Sequence, residues 1–205
     1  IINDFAGEKT NILIGTQMVS KGLDFGKVSV VGILNADTML NYPDFRAYEQ
    51  AFTMMAQVSG RAGRKDRQGL VILQTRSPES PVIRQLSGND FKSFYHSLLE
   101  ERRLFRYPPF THIIYIYIRH KKGMIAETAA DSMATSLKNI LGDRVLGPDK
   151  PSVARIKQMA IRKIMLKLEN GINLDKVRDC LHKEESRIMQ QQRFATVQVI
   201  FDVDP

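Results

Sequence analysis

Two arginines lie three residues apart in the segment Gln57-Val-Ser-Gly-Arg-Ala-Gly-Arg64. A guanidinium is planar, permanently charged and able to bind two phosphate oxygens at once. Arg61 and Arg64 can point the same way, and Gly60 and Gly63 let the backbone turn tightly beside a ligand. The pattern predicts contacts with the terminal phosphate of a nucleotide. Clusters of arginine and glycine also occur in solvated turns and in nonspecific RNA-binding segments, which is the alternative interpretation.

A second polar segment, Gly15–Phe25, follows the short apolar run Asn11–Ile14, which we predict to be a buried parallel strand. Open α/β sheets bind ligands at the carboxyl ends of such strands. The candidate DNA-binding residues of the loop are Thr16, Gln17 and Lys21, and its candidate nucleotide-binding residues are Gly22 and Asp24. The alternative is a simple turn from strand to helix, capped by Thr16.

The pattern Q-x-x-G-R-x-G-R resembles the last conserved motif of superfamily 2 helicases. Between the two segments stands A-D-x-x-L-x-x-P-D-F-R-A-x-E, from Ala36 to Glu49, and further on come Gln74-Thr75 and Tyr107-Pro-Pro-Phe110. Together these motifs resemble the primosomal protein N′ (PriA) family of replication-restart DNA helicases. The resemblance covers essentially the whole chain and is densest from Asn11 to Thr75.

The resemblance implies the C-terminal part of an ATP-dependent helicase that recognises and unwinds branched DNA at stalled forks and promotes primosome assembly. Arg61 and Arg64 would be its arginine fingers, with Gln57 beside them. The loop 16–24 would link closure of the site over ATP to movement along single-stranded DNA. The implied partners are branched and single-stranded DNA, single-stranded-DNA-binding protein and other primosome proteins. Alternatives are another superfamily 2 remodeller of branched DNA and a DNA-binding loading platform whose ATPase is dispensable.

Sequence motifs for the remaining chemistry are missing. The 205 residues contain no G-x-x-x-x-G-K-[ST] phosphate loop and no D-E-x-H box. We therefore expect ATP and Mg²⁺ to be bound mainly by a first helicase lobe outside this chain, and the fragment alone to be inactive. The family's zinc would likewise belong to the parent protein, because this chain has one cysteine, and we expect no metal site in it.

The predicted fold is α/β. Residues 1–107 are expected to form part of a RecA-like second helicase lobe, with strands at Asn11–Ile14, Val28–Leu34 and Leu70–Thr75 and a helix from Tyr42 to about Gly60. Residues 108–205 are expected to form a ferredoxin-like α+β domain that binds DNA and partners, with Pro108-Pro109 at the boundary. In that domain, Ile and Tyr alternate from Ile113 to Arg119, and 153–157 and 162–168 are predicted to be the two strands of a hairpin.

Charge points to the second half as the larger nucleic-acid surface. The formal net charge is +8, of which residues 111–205 carry +5. The candidate DNA-binding residues there are Arg119, Lys121, Lys122, Arg155, Lys157, Arg162 and Lys163. Solvated strand ends and loop edges are the alternative. The single Cys180 and an N-terminus unlike a signal peptide lead us to expect a cytoplasmic protein without membrane partners.

Overall fold

The computed structural model describes residues 1–16, 28–59 and 69–205. The chain divides into two compact units, Ile1–Glu100 and Glu101–Pro205, here called the N-terminal and C-terminal units. The division between them falls within a helix. Assignment of the domains to 1–107 and 108–205 stays a prediction.

The N-terminal unit contains a two-stranded parallel sheet and several helices. Its elements are α1 (Ile2–Ala6), β1 (Val30–Ile33), α2 (Asp37–Leu40), α3 (Ala47–Ser59), β2 (Leu70–Leu73), α4 (Pro81–Ser87) and α5 (Phe91–Leu104), which continues into the next unit. Val30 pairs with Leu70 and Ile33 with Leu73, so both strands run the same way. The predicted α/β character and two of the three predicted strands are confirmed.

One face of this sheet is packed and the other is exposed. The packed side contributes to a cluster of six buried residues: Ile33, Ala36, Leu40, Ala51, Met55 and Ile83. On the other side, Val30, Leu70 and Ile72 are each more than half exposed. Side chains alternate across a strand, so each strand places apolar residues on both sides.

Two predictions for this unit are wrong in detail. Residues 11–14 have no strand structure, and Ile12 and Ile14 are 77% and 87% exposed. A short apolar run becomes a strand only when a neighbour accepts its backbone hydrogen bonds, and no described residue does so here. The long helix begins at Ala47 rather than Tyr42, because the Asp44 carbonyl accepts from the Ala47 amide and sets the first turn there.

The C-terminal unit has a complete antiparallel sheet covered by two long helices. Its elements are β3 (Thr111–His120), α6 (Gly123–Leu141), β4 (Val145–Asp149), β5 (Arg155–Ile156), β6 (Met159–Glu169), α7 (Leu174–Met189) and β7 (Gln198–Val203). Short 3₁₀ turns stand at Gly142–Arg144 and Gln192–Phe194. The strand order is β4-β6-β3-β7, with β5 paired to β6. Taking β4 as the second strand, this is the β-α-β-β-α-β order of the predicted ferredoxin-like domain.

Alternation on β3 gives the sheet two different faces. Ile114, Ile116 and Ile118 belong to the core that α6 and α7 close. Tyr115 and Tyr117 point to the opposite face. The core joins residues from every long element of the unit, among them Met133, Leu137, Leu166, Leu181 and Phe194. A sheet with one face covered by helices and the other facing away is typical of α+β domains.

The predicted hairpin exists but is shorter than expected. Arg155 pairs with Ala160 and Ile156 with Met159, and Lys157 and Gln158 both have positive φ, as in tight hairpin turns. The longer partner of β6 is β4, which lies outside the predicted hairpin. Gly147 interrupts the pattern there: it has a φ of +92°, and a Cβ would lie 3.0 Å from the Lys163 carbonyl oxygen.

Candidate nucleic-acid interface

The predicted motif residues of the N-terminal unit fall largely outside the described residues. Gln17, Lys21, Gly22, Asp24, Arg61 and Arg64 all lie in 17–27 and 60–68. Thr16 and Gln57 are described, and both are exposed. Gln57 lies in the last turn of α3, which ends at Ser59, directly before the G-R-A-G-R sequence.

Asp37 joins the carboxyl ends of β1 and β2. Its carboxylate accepts a hydrogen bond of 2.7 Å from the Thr75 hydroxyl and one of 2.8 Å from the Arg76 amide. Both bonds lower the pKa of the Asp37 carboxyl, and the bond from Thr75 has the larger effect. The Gln74 carbonyl also accepts from the Ala36 amide. The A-D-x-x-L motif and Gln74-Thr75 were recognised separately in the sequence, and the structure brings them together.

Five of the predicted basic residues lie at one end of the C-terminal sheet. These are Arg119, Lys121, Lys122, Arg155 and Lys157, here called the basic rim. Residues 119–122 end β3 and start the turn to α6, and 155–157 belong to β5 and its turn. Ala160 of β6 pairs with His120 on one side and Arg155 on the other, so these segments lie about 10 Å apart across β6.

Arg162 differs from this group. Its side chain is 11% exposed, and its Nη2 atom lies 2.8 Å from the Glu127 carboxylate of α6. It lies on the helix side of β6, where it also donates to the Ile161 carbonyl. This arrangement commits the guanidinium to an internal ion pair and argues against a direct phosphate contact.

Lys163 lies on the other side of β6, on a surface that sequence reasoning did not assign. We call this surface the tyrosine face. It is formed by the odd-numbered residues of β3 and β6 from Ile113 to Arg119 and Ile161 to Lys167, together with Ile200 and Asp202 of β7. Sequence reasoning assigned no role to Tyr107, Tyr115 or Tyr117. The alternation of Ile and Tyr on β3 was the available signal.

Cations on the tyrosine face lie over aromatic rings. The Lys163 Nζ atom is 4.5 Å from the Tyr115 ring centroid, and the Arg119 Cζ atom is 6.0 Å from that of Tyr117. The Lys167 Nζ atom is 3.7 Å from the Tyr107 centroid and donates to the Phe105 carbonyl at 2.7 Å. Burial, and then the nearby Arg106, lower the pKa of the Lys167 ammonium.

Four arginines elsewhere in the C-terminal unit pair with carboxylates. Arg144 binds Glu169, Arg162 binds Glu127, Arg178 binds Asp175 and Arg187 binds Glu184. In the part of the chain that the structure describes, Arg119, Lys163 and Lys167 form no ion pair with a carboxylate. A ring attracts a cation but does not neutralise it, so the tyrosine face keeps its positive charge.

The described residues offer little for metal or thiol chemistry. Within 1–16, 28–59 and 69–205, no group of three or more His, Cys, Asp or Glu residues could hold a metal ion. Burial raises the pKa of the half-buried Cys180 thiol, which makes it a poor nucleophile. Among the same residues, no helix has both the length and the apolar character needed to cross a membrane.

Two protein families match the chain, one after the other. Residues 1–66 match the family described as "Helicase conserved C-terminal domain", and residues 103–205 match the one described as "Primosomal protein N C-terminal domain". The second match spans β3 to β7 and therefore contains both the basic rim and the tyrosine face.

Several known relatives named "Replication restart protein PriA" are similar to the chain. The Bacillus subtilis (strain 168) protein is 34% identical over 207 residues, which cover 100% of this chain and 25% of the relative. The Treponema pallidum (strain Nichols) protein is 40% identical over 169 residues, covering 81% and 26%. The Haemophilus influenzae (strain ATCC 51907) protein is 32% identical over 206 residues, covering 100% and 28%. The chain spans about a quarter of each of these relatives.

Proposed function

Because this chain belongs to the family of the primosomal protein N C-terminal domain, we propose that it forms the C-terminal part of an ATP-dependent DNA helicase for replication restart. The complete protein recognises branched DNA at stalled forks, unwinds it and promotes primosome assembly. The observation that carries this proposal is the order of the two matches, a helicase region followed by the primosomal domain, repeated over the full chain by relatives named for replication restart.

In this proposal the N-terminal unit completes an ATPase site. Arg61 and Arg64 contact the γ-phosphate of ATP and stabilise the charge that develops as it is transferred. Gln57 supports them from the end of α3, and Gly22 and Asp24 of the loop 16–24 contact the bound nucleotide. Arginine fingers accelerate other nucleotide hydrolases by roughly 10³–10⁵-fold.

ATP and Mg²⁺ are bound mainly by a first helicase lobe outside this chain. The donor set of the G-R-A-G-R segment fits this division, because guanidinium groups bind phosphate oxygens but not metal ions. Mg²⁺ prefers carboxylate and phosphate oxygens. Zinc in the parent protein is likewise held by residues outside this chain. Bound Mg²⁺ would neutralise the phosphate charge while the two arginines act from the opposite side.

DNA contacts are divided between the two units. Thr16, Gln17 and Lys21 bind the sugar-phosphate backbone of single-stranded DNA, so that ATP-driven closure moves the strand. The basic rim binds phosphates of the branched DNA, and Lys163 adds a charge beside it. Such contacts fix position and give salt dependence but no base sequence preference. Single-stranded-DNA-binding protein and other primosome proteins are the proposed protein partners, and the proposed site of action is the cytoplasm.

DNA-stimulated ATP hydrolysis by the complete protein tests this function. We expect Arg64→Ala to lower turnover by roughly 10³-fold or more, with fork affinity nearly unchanged. Arg84→Ala is the matched control, because Arg84 is an exposed arginine of the same unit that pairs with Glu79. Unchanged turnover in Arg64→Ala would contradict the arginine-finger role.

A second candidate function is a loading platform on which ATP turnover is dispensable. Among the described residues, the cations of the basic rim and the tyrosine face form no ion pair with a carboxylate. This favours the platform, because such charges provide DNA affinity without nucleotide. The Arg64→Ala protein separates the two candidates. Primosome assembly on a forked DNA without ATP turnover would support the platform, whereas loss of assembly together with turnover would support the motor.

A further inference from the structure

The tyrosine face has the chemistry of a single-strand binding surface. Resting on the proposed function in DNA processing, we propose that it binds single-stranded DNA, with a base stacked on Tyr117 and phosphates held by Arg119, Lys163 and Lys167. Neither family match assigns a role to these residues.

Exposure selects Tyr117 as the stacking ring. Tyr115 is only 7% exposed, with the Lys163 ammonium 4.5 Å from its ring centroid, whereas Tyr117 is half-buried, with the Arg119 Cζ atom 6.0 Å from its ring centroid. Directly opposite Tyr117 on β7 is Ile200, which is 37% exposed and gives the ring an apolar neighbour. The Tyr115 ring lies edge-on against Tyr117, with centroids 6.1 Å apart and planes at 71°, and so supports its orientation.

The cations lie where phosphates flanking such a base would pass. Lys163 is directly opposite Tyr117 on β6, and Lys167 is four residues further along the same strand, about 13 Å away. Arg119 is two residues beyond Tyr117 on β3, and its Nε atom is buried without a hydrogen-bond partner. The three charges therefore form a row along the central strands, with the tyrosine rings between them.

Charge on the rest of this unit is distributed differently. Helix α7 carries four basic and four acidic side chains, and its Arg178 and Arg187 pair with carboxylates. On the tyrosine face, the nearby carboxylates stand on the flanking strands: Asp202 lies opposite Tyr115 on β7 and Asp149 opposite Lys163 on β4. A polyanion is therefore attracted to the two central strands and repelled from the flanking ones.

A single strand fits this surface better than a duplex. Duplex bases are stacked and paired inside the helix, so a protein ring cannot reach their faces without opening the helix. Unpaired bases stack on aromatic side chains of four-stranded sheets, and this contact is tolerant of base sequence. A helicase separates strands of any base sequence and so exposes unpaired bases that can stack on such a ring.

The test uses the complete protein and an oligodeoxythymidine of about 20 nucleotides that carries 5-iodouracil. Irradiation cross-links a base to an aromatic side chain that it stacks on, and mass spectrometry locates the attached peptide. We expect a cross-link within Thr111–His120 at Tyr117, lost in Tyr117→Leu and kept in Tyr117→Phe. Cross-links confined to other segments would overturn the proposal.

Affinity measurements provide the second readout. Stacking is worth roughly 1–3 kcal/mol per base, so Tyr117→Leu should weaken single-strand binding by at least about fivefold and leave duplex binding unchanged. Lys163→Gln should reduce the dependence of log K on log salt by about 0.7 between 50 and 200 mM salt, and Lys183→Gln on α7 should not. Equal losses for duplex and single strand would overturn the proposal.

Failure of this inference is distinguishable from failure of the proposed function. Turnover that needs Arg64 but no cross-link at Tyr117 would remove only the stacking surface. A cross-link at Tyr117 with turnover independent of Arg64 would keep the surface and remove the motor role.

Discussion

The two units of this chain enclose their apolar residues to different degrees. In the C-terminal unit, eighteen buried residues from one antiparallel sheet and two long helices form a single core. Among the described residues of the N-terminal unit, six buried residues form the corresponding cluster, and Val30, Leu70 and Ile72 are more than half exposed on the sheet's other face. Parallel strands are usually covered on both faces. Both faces of the N-terminal sheet carry apolar side chains, so the sequence predicts that both are covered, whereas the described residues cover only one.

This difference separates two ways of positioning candidate functional residues. The C-terminal unit holds Tyr115, Tyr117 and Lys163 on the strands of a sheet whose other face closes a filled core, so their spacing follows from strand register. The N-terminal unit relies on local links at the ends of its strands, of which Asp37 to Thr75 and Arg76 is the clearest. The predictions below test whether the two units differ in this way.

The largest expected effect is on the core of the C-terminal unit. Ile116 is fully buried, and Ile116→Ala should lower the free energy of unfolding of this unit by about 3 kcal/mol. Hydrogen exchange of the complete protein should then accelerate across β3 and β6 but not in residues 28–59. Ile200→Ala, at a position that is 37% exposed, is the control and should cost under about 1 kcal/mol. Equal acceleration of hydrogen exchange in both units would contradict the view that each unit has its own core.

A pH effect is also expected in the C-terminal unit. Two hydrogen bonds from Arg144 lower the pKa of the Glu169 carboxyl from 4.5 to about 2. The unfolded chain binds a proton near pH 4.5, so the stabilisation is present above that pH and is lost as the pH falls towards 2. Thermal unfolding of Glu169→Gln should differ from wild type at pH 6 and converge with it near pH 2. Asp143→Asn, at an exposed neighbouring position, should leave the pH dependence intact.

A smaller effect is expected from the hydrogen bonds that link Asp37 to Thr75 and Arg76 in the N-terminal unit. In Asp37→Asn, an amide replaces one carboxylate oxygen, so the Thr75 hydroxyl and the Arg76 amide can no longer both donate to this side chain. We expect amide exchange at residues 74–77 to accelerate several-fold, with no change in residues 111–120. Thr75→Val removes only one of the two bonds and should have a weaker effect. An unchanged exchange rate at Arg76 in Asp37→Asn would show that strand pairing alone holds this edge.

The smallest expected effect is a gain in DNA affinity. Asp202 lies opposite Tyr115 on β7, and Asp202→Asn removes a negative charge from the flank of the tyrosine face. Single-strand affinity of the complete protein should rise about twofold at low salt, and the gain should disappear at high salt because exposed charges are screened. Asp179→Asn on α7 is the matched control. A gain of the same size from Asp179→Asn would indicate a general charge effect rather than this face.

Much of the fold could be predicted from local pattern. The apolar runs at 28–34 and 70–75 and the alternating Ile and Tyr of β3 all appear as strands in the structure. Failures occurred where pairing with a distant segment decides the outcome. Residues 11–14 have a strand-like composition but no strand neighbour, and β4 is a strand despite Gly147-Pro148 because β6 pairs with it.

The family could be recognised from the motif residues and their spacing, and the matches confirm it. Phosphate contacts of Arg61 and Arg64 stay a prediction, because both residues lie outside the described residues. The fate of each cation in the C-terminal unit could not be predicted from the sequence. Arg162 and Lys163 are adjacent and carry the same charge, and the period of two in a strand shows only that they point to opposite faces. Packing of α6 against one face turned Arg162 into a partner of Glu127, and left Lys163 over a tyrosine ring on the other face. Which face a helix covers depends on contacts between segments far apart in the chain, and therefore only the tertiary structure decided it.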